Sequence, residues 1–313
     1  MAYSIKPLKP GKIQTYPLAS RPSKVGRADF AKPPRRGGRV SDLVDGLPDL
    51  LAARDFKELL ELLRGARTKG KLIVWAMGAH VIKAGLSPVL IDLMKDGWVS
   101  GLALNGAGII HDFELALAGR TSEDVASEIR TGRFGMAAET GDLLNAAITS
   151  GAASGLGLGE SVGAMIARSR FPYRKLSLLG TAYRLGIPVT VHVAVGTDII
   201  HMHPQASGEA IGASSLRDFY LFCGLVRNIN GGGVFLNVGS AVILPEVFLK
   251  AVSLLRNRGE RLDGFSTAVF DFIKHYRPAE NVARRPLGKR GKGFYFVGPH
   301  EIWIPLLAAA LKG

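Results

Sequence analysis

The chain has 313 residues, 47% of them hydrophobic, enough to bury one large core. No run of about 18 apolar residues occurs, and the N-terminus is charged and polar from Lys6 onward, which argues against membrane spanning and secretion. One cysteine, Cys223, rules out an intrachain disulfide or a multi-cysteine metal site, and a cytoplasmic location is expected. The net charge of +14 is unevenly placed, because residues 1–40 hold ten Lys/Arg against Asp29 alone.

That first segment also carries six prolines and reads as an extended basic arm that cannot offset its ordering entropy alone. Wrapping of a neighbouring subunit is the preferred role, with nucleic-acid binding the less favoured one. Residues 41–313 are expected to form a single domain.

Two short amphipathic helices come first, Asp42–Ala52 and Phe56–Arg64, with leucines at helical spacing. LIVWAMG (Leu72–Gly78) is then a short apolar strand ending in glycine, and Ser87-Pro88 opens a helix to Lys95. The unit recurs at Val99–Gly108, a strand entering a Gly-rich turn with the next helix starting at His111. A mainly helical stretch from Thr121 to Arg168 follows and is expected to cap one end of the sheet. Within it, GLGLGES (Gly155–Ser161) is read by default as a turn between helices. Further strands are expected at Ile187–Gly196, at Gly232–Ser240 before the helix Pro245–Arg256, and at Asp263–Asp271. Apolar strands alternating with helices predict an α/β, Rossmann-like fold with a mostly parallel sheet covered on both faces.

Ligands of such sheets bind beyond the carboxyl ends of the strands. Those ends read MGAH (Met77–His80), NGAGIIHD (Asn105–Asp112), AVGTDIIHMH (Ala194–His203), NVGS (Asn237–Ser240) and STAVFD (Ser266–Asp271). Small residues there let backbone N–H groups approach phosphate oxygens, and helix N-termini favour negative charge. His80, His111, His192, His201 and His203 lie at or near these ends beside Asp112 and Asp198, which suggests a polar pocket for proton transfer. The spacing D-x-x-H-x-H from Asp198 through His201 to His203 leaves a metal-dependent hydrolase as an alternative, although no metal is the expectation.

The order of these segments, with GAHVIKAGLSP, GTDIIHMHP, RPAEN and the closing apolar helix IWIPLLAAAL, resembles deoxyhypusine synthase from about residue 70 to the C-terminus. The resemblance implies a deoxyhypusine synthase-like, Rossmann-like fold, NAD as cofactor, and a dimer or tetramer with the site near a subunit interface. It also implies cofactor-side or pocket roles for Gly78, Ala79, His80, Asn105, Gly106, Ala107, Asp112, Asp198, Gly239, Ser240, Thr267, Ala268 and Asp271, and places Glu280 towards an amine substrate. The family's imine-forming lysine has no aligned counterpart, because Ala283-Arg284-Arg285-Pro286 stands there; Lys289 is the candidate only if three residues are inserted. The expected activity is therefore a divergent NAD-dependent transferase or dehydrogenation chemistry on a small amine-type substrate. His80, His111 and His203 would handle protons, Asp198 and Glu280 would orient the substrate, and Lys289 would serve for covalent attachment. A non-catalytic nucleotide-binding scaffold is the remaining alternative.

Overall fold

A computed structural model describes residues 4–313, so the first three residues of the expected arm lie outside it. From Ser4 to Gly38 the chain is exposed but for a half-buried Asp29, and it holds two short 3-10 turns, Leu18–Ser20 and Arg27–Asp29. Its end is tied down by Lys32 N–H donating to Gly46 O (2.8 Å) and Asp49 N–H to Asp29 O (3.0 Å).

The regular elements follow in order: α1 (Val40–Gly46), α2 (Leu51–Thr68), β1 (Ile73–Met77), α3 (His80–Lys83), α4 (Ser87–Lys95), β2 (Gly101–Asn105) and α5 (Gly106–Ala118). Next come α6 (Val125–Glu128), α7 (Ala138–Ala153), α8 (Leu158–Arg168), α9 (Leu178–Leu185), β3 (Val189–His192) and α10 (Gly208–Asn228). The last are β4 (Val234–Val238), α11 (Ile243–Asn257), β5 (Ser266–Asp271), α12 (Tyr276–Asn281), β6 (Gly293–Val297) and α13 (His300–Lys312). All six strands are parallel, in the order β3-β2-β1-β4-β5-β6. The protein is thus an α/β protein with the doubly wound, Rossmann-like strand order.

Strand alternation divides the core into two layers. Ile73, Trp75, Met77, Leu102, Leu104, Leu236 and Phe270 face a cluster built with α2, α4, α5, α8, α9 and α13. Their neighbours Val74, Ala76, Ala103, Phe235 and Val269 face α10 and α11, where the Phe235 and Phe248 rings stack at 3.9 Å. Because both faces are covered, the strands are apolar throughout instead of alternating with polar residues.

Two local expectations change. Helix α5 starts at Gly106, where a Gly-rich turn is expected from sequence, because the Asn105 side chain accepts from Gly108 N–H (3.1 Å) and caps the helix directly at the strand end. Strand β6, to which the sequence reading assigns no element, follows the basic stretch Arg284–Lys292; its Phe294 and Phe296 alternate inward and complete the sheet edge. No helix among the described residues is long and apolar enough to cross a membrane.

Candidate active site at the carboxyl ends of the strands

The strand order reverses between β1 and β4, and a doubly wound sheet opens a crevice beyond the carboxyl ends at that point. Here the two strand ends touch. Gly78 N–H donates to Val238 O at 2.9 Å, and a Cβ on Gly78 would lie 2.0 Å from Gly239 O. Gly239 has φ +65°, and a Cβ on it would meet the His300 ring at 2.7 Å. Neither position tolerates a side chain, so the backbone itself forms the floor of the crevice.

Around this floor stand His80, Phe272, His300, Asp271 and His275. The His80 ring lies 5.4 Å from that of His300 and 5.8 Å from Phe272, and His275 Nε2 is 3.9 Å from Asp271 Oδ2. Asp271 Oδ1 accepts from Phe272 N–H (2.9 Å), whereas Oδ2 is buried without a hydrogen-bond partner. Burial pushes the Asp271 carboxyl above its ordinary range, against the opposing pull of that N–H and of three histidines. Burial likewise lowers His300, whose Nε2 bonds Phe270 O at 3.1 Å.

A cavity of about 210 Å³ opens beside the end of β2. Lys83, Ala107, His111, Glu114, Glu123 and Asp198 supply much of its wall, and Ile110, Val125, Phe134 and Ile199 its apolar part. Asp198 is 8% exposed, and its Oδ2 has no hydrogen-bond partner. Its carboxylate occupies the space of the missing side chain at Gly106, where a Cβ would lie 1.9 Å from Oδ2. The carboxylate therefore sits at the first turn of the 13-residue helix α5. Burial raises its pKa, with His201 acting in the opposite direction. His111 is brought down to about 4 by burial first and by Lys83 second. Its Nδ1 lies 2.7 Å from Thr121 Oγ1, which donates to Glu114 Oε2 at 2.5 Å; Glu114 Oε1 accepts from Thr140 Oγ1 at 3.1 Å.

The fold brings Gly78, Ala79, His80, Gly239, Ser240 and Asp271 to the crevice, and Asn105, Gly106, Ala107, His111 and Asp198 to or beside the cavity. Other candidates are engaged elsewhere. Asp112 is fully buried and accepts from Ser177 Oγ (2.5 Å), Leu178 N–H (2.7 Å) and Leu179 N–H (3.2 Å), which caps α9 instead of facing a ligand. Thr267 and Ala268 lie inside β5 before its carboxyl end; Thr267 is spent on Val282 O (2.9 Å). His203 packs against α7 at Gly141 and bonds Gly135 O through Nε2 (2.9 Å), while His201 Nδ1 accepts from Gly196 N–H (3.1 Å). Asp198, His201 and His203 thus do not converge, and no group of three or more His, Cys, Asp or Glu among the described residues is placed to hold a metal. Glu280 is held by Arg284 and Arg285. Lys289 is exposed in the loop leading to the amino end of β6, the side away from the strand ends that form the site.

Sequence reasoning missed Lys83, Glu114, Thr121, His275 and His300. Lys83 and Glu114 fall three residues after His80 and His111 on α3 and α5, a spacing that shares a helix face and was available as a signal. Thr121 and His300 come from other elements and left none.

No family model matches the chain, and no curated protein does. Solved structures do resemble it. The apo form of ArgZ, an arginine dihydrolase from the ornithine-ammonia cycle in cyanobacteria, matches at TM-score 0.51 and 16% identity over 84% of this chain and 33% of that one. The ternary complex of AgrE with ornithine and NAD+ matches at TM-score 0.51 and 15% identity over 82% of this chain and 32% of that one. A chain from Entamoeba histolytica named for deoxyhypusine synthase superposes more loosely, at TM-score 0.48 and 10% identity, over 88% of this chain and 93% of that one. This protein spans about a third of the length of the first two, and at such identities the likeness establishes the fold alone.

Proposed function

We propose that the protein is an NAD-dependent enzyme acting on a small amine-bearing substrate, with the dinucleotide along the ends of β1, β4 and β5 and the substrate in the adjoining cavity. The observation that carries this reading is the bare backbone contact of Gly78 with Gly239 at the switch point, against the His300 ring. The side-chain-free meeting of Gly78 with the half-buried Gly239 suits the close approach of a ribose-phosphate chain, and the carboxyl of Asp271 at the end of β5 suits a ribose hydroxyl. Bound NAD+ would supply a hydride acceptor for a substrate carbon next to nitrogen. A cavity of about 210 Å³ suits a compact substrate. AgrE, which shares this fold over 32% of its own length, was solved with ornithine and NAD+, in keeping with an amine substrate and this cofactor.

Association into a dimer or tetramer belongs to the same reading. Ile5, Leu8, Ile13, Tyr16, Leu18, Val25 and Phe30 are each more than half exposed along the arm, a density of apolar surface that suits a neighbouring subunit. The buried Cys223, as the one cysteine, is in keeping with a cytoplasmic enzyme.

Calorimetric titration of NAD+ into the dialysed protein tests the cofactor assignment. One equivalent per chain is expected, and Asp271→Asn should weaken binding by about tenfold, the worth of a hydrogen bond to a charged group. Absence of binding to the wild type would refute it.

A further inference from the structure

The hydrogen-bond chain behind His111 fixes which way that imidazole can serve. A threonine hydroxyl has one proton, and at 2.5 Å Thr121 gives it to Glu114 Oε2. Towards His111, 2.7 Å away, the same oxygen can only accept, so Nδ1 carries the ring proton and Nε2 keeps its lone pair. Nε2 has no protein partner and belongs to a ring that lines the cavity. The two glutamates of the wall are already engaged, Glu114 by the hydroxyls of Thr121 and Thr140 and Glu123 at Oε1 by Gly135 N–H (2.8 Å). The remaining groups differ in kind: His111 Nε2 and the carboxylate of Asp198, which lines the cavity and has no hydrogen-bond partner on Oδ2, accept, while Lys83, which makes no ion pair among the described residues, brings positive charge.

We infer that this cavity binds a zwitterionic amino acid, its ammonium group shared by Asp198 and Nε2 of His111 and its carboxylate set against Lys83. Ile110, Val125, Phe134 and Ile199 offer an apolar wall to the ligand's carbon chain. A diamine would set a second cation against Lys83, and a simple carboxylic acid would leave Asp198 buried without a partner; both are disfavoured. Thr121 and Glu114 are positioning residues, acting on the ligand only through the His111 tautomer. The imidazole, lowered by burial, stays neutral at physiological pH and accepts a hydrogen bond instead of adding charge beside Lys83.

This substrate class rests on the proposed function, yet it is testable apart from the cofactor. Norvaline, cadaverine and valerate are titrated into the full chain with and without saturating NAD+. Norvaline should bind in at least one condition, and the other two more weakly by about tenfold or more. Lys83→Met should abolish that preference for norvaline over cadaverine. In the free protein, nitrogen-15 spectra of the ring should show His111 protonated at Nδ1; Thr121→Ser should keep this tautomer and Thr121→Val should lose it. Cadaverine binding as tightly as norvaline, no binding of any probe in either condition, or an Nε2-protonated His111 in the wild type would each overturn the inference. Failure of NAD+ itself to bind would refute the cofactor assignment alone, because the spectra and the cofactor-free titrations remain to decide the ligand.

Discussion

The Asp218 carboxylate on α10 lies fully buried, accepting from Val191 N–H (2.8 Å) on the edge strand and Gly159 N–H (3.0 Å) at the start of α8. Its Oδ1 rests in the space that a Cβ on Gly157 would fill at 1.8 Å. GLGLGES therefore has small residues for packing: Gly157 admits Asp218, and Gly159 admits Val189 O, which a Cβ would meet at 2.1 Å. Burial raises Asp218 to about 7, outweighing the backbone N–H groups, with Glu160 adding to the rise. A carboxyl whose folded pKa exceeds its unfolded one favours the native state fully below the ordinary carboxylate range, and that contribution is lost as pH rises through about 7. His111 and His192, both lowered to about 4 by burial, act in the opposite sense, losing stability as pH falls below the ordinary histidine range. Comparison with Asp218→Asn removes that background. The melting temperature of the variant relative to the wild type should rise by about 3 °C or more between pH 5 and pH 8; a melting difference that does not change with pH would contradict the burial account.

At the level of elements, α5 matters most, since it carries His111 and Glu114 on one face and starts at the strand end. Its start depends on Asn105, the N-cap, which also pairs with His192 in the β2–β3 register. Asn105→Ala should cost about 1 kcal/mol in chemical denaturation, and Asn105→Asp should recover most of it; equal stability of all three would show that the cap contributes nothing. The first five strands were legible because continuous apolar runs ending in Gly, Asn or Asp mark buried parallel strands. Helix α5 was read as starting late because its two glycines, Gly106 and Gly108, suggest a turn when the space that Gly106 frees for Asp198 cannot be seen. Strand β6, GFYFV, escaped because it is short and follows a strongly basic loop.

For the whole molecule, the arm is the feature the isolated chain leaves unexplained. Its basic residues and exposed apolar side chains would suit a second copy of this chain. Deleting residues 1–38 should lower the mass measured by light scattering to a smaller species; an unchanged mass would assign the arm another role. The sequence by itself determined that the chain is α/β, with a parallel sheet and polar groups at the strand ends, because hydrophobic periodicity and turn residues are local properties. Only the tertiary structure decided which of those polar groups share a site. Asp112 faces inward to cap α9, Asp198 folds onto the start of α5, and His300 arrives from the last helix to meet Gly239. Such meetings are set by strand order and helix packing, which bring together residues far apart in the chain and leave no mark on local spacing.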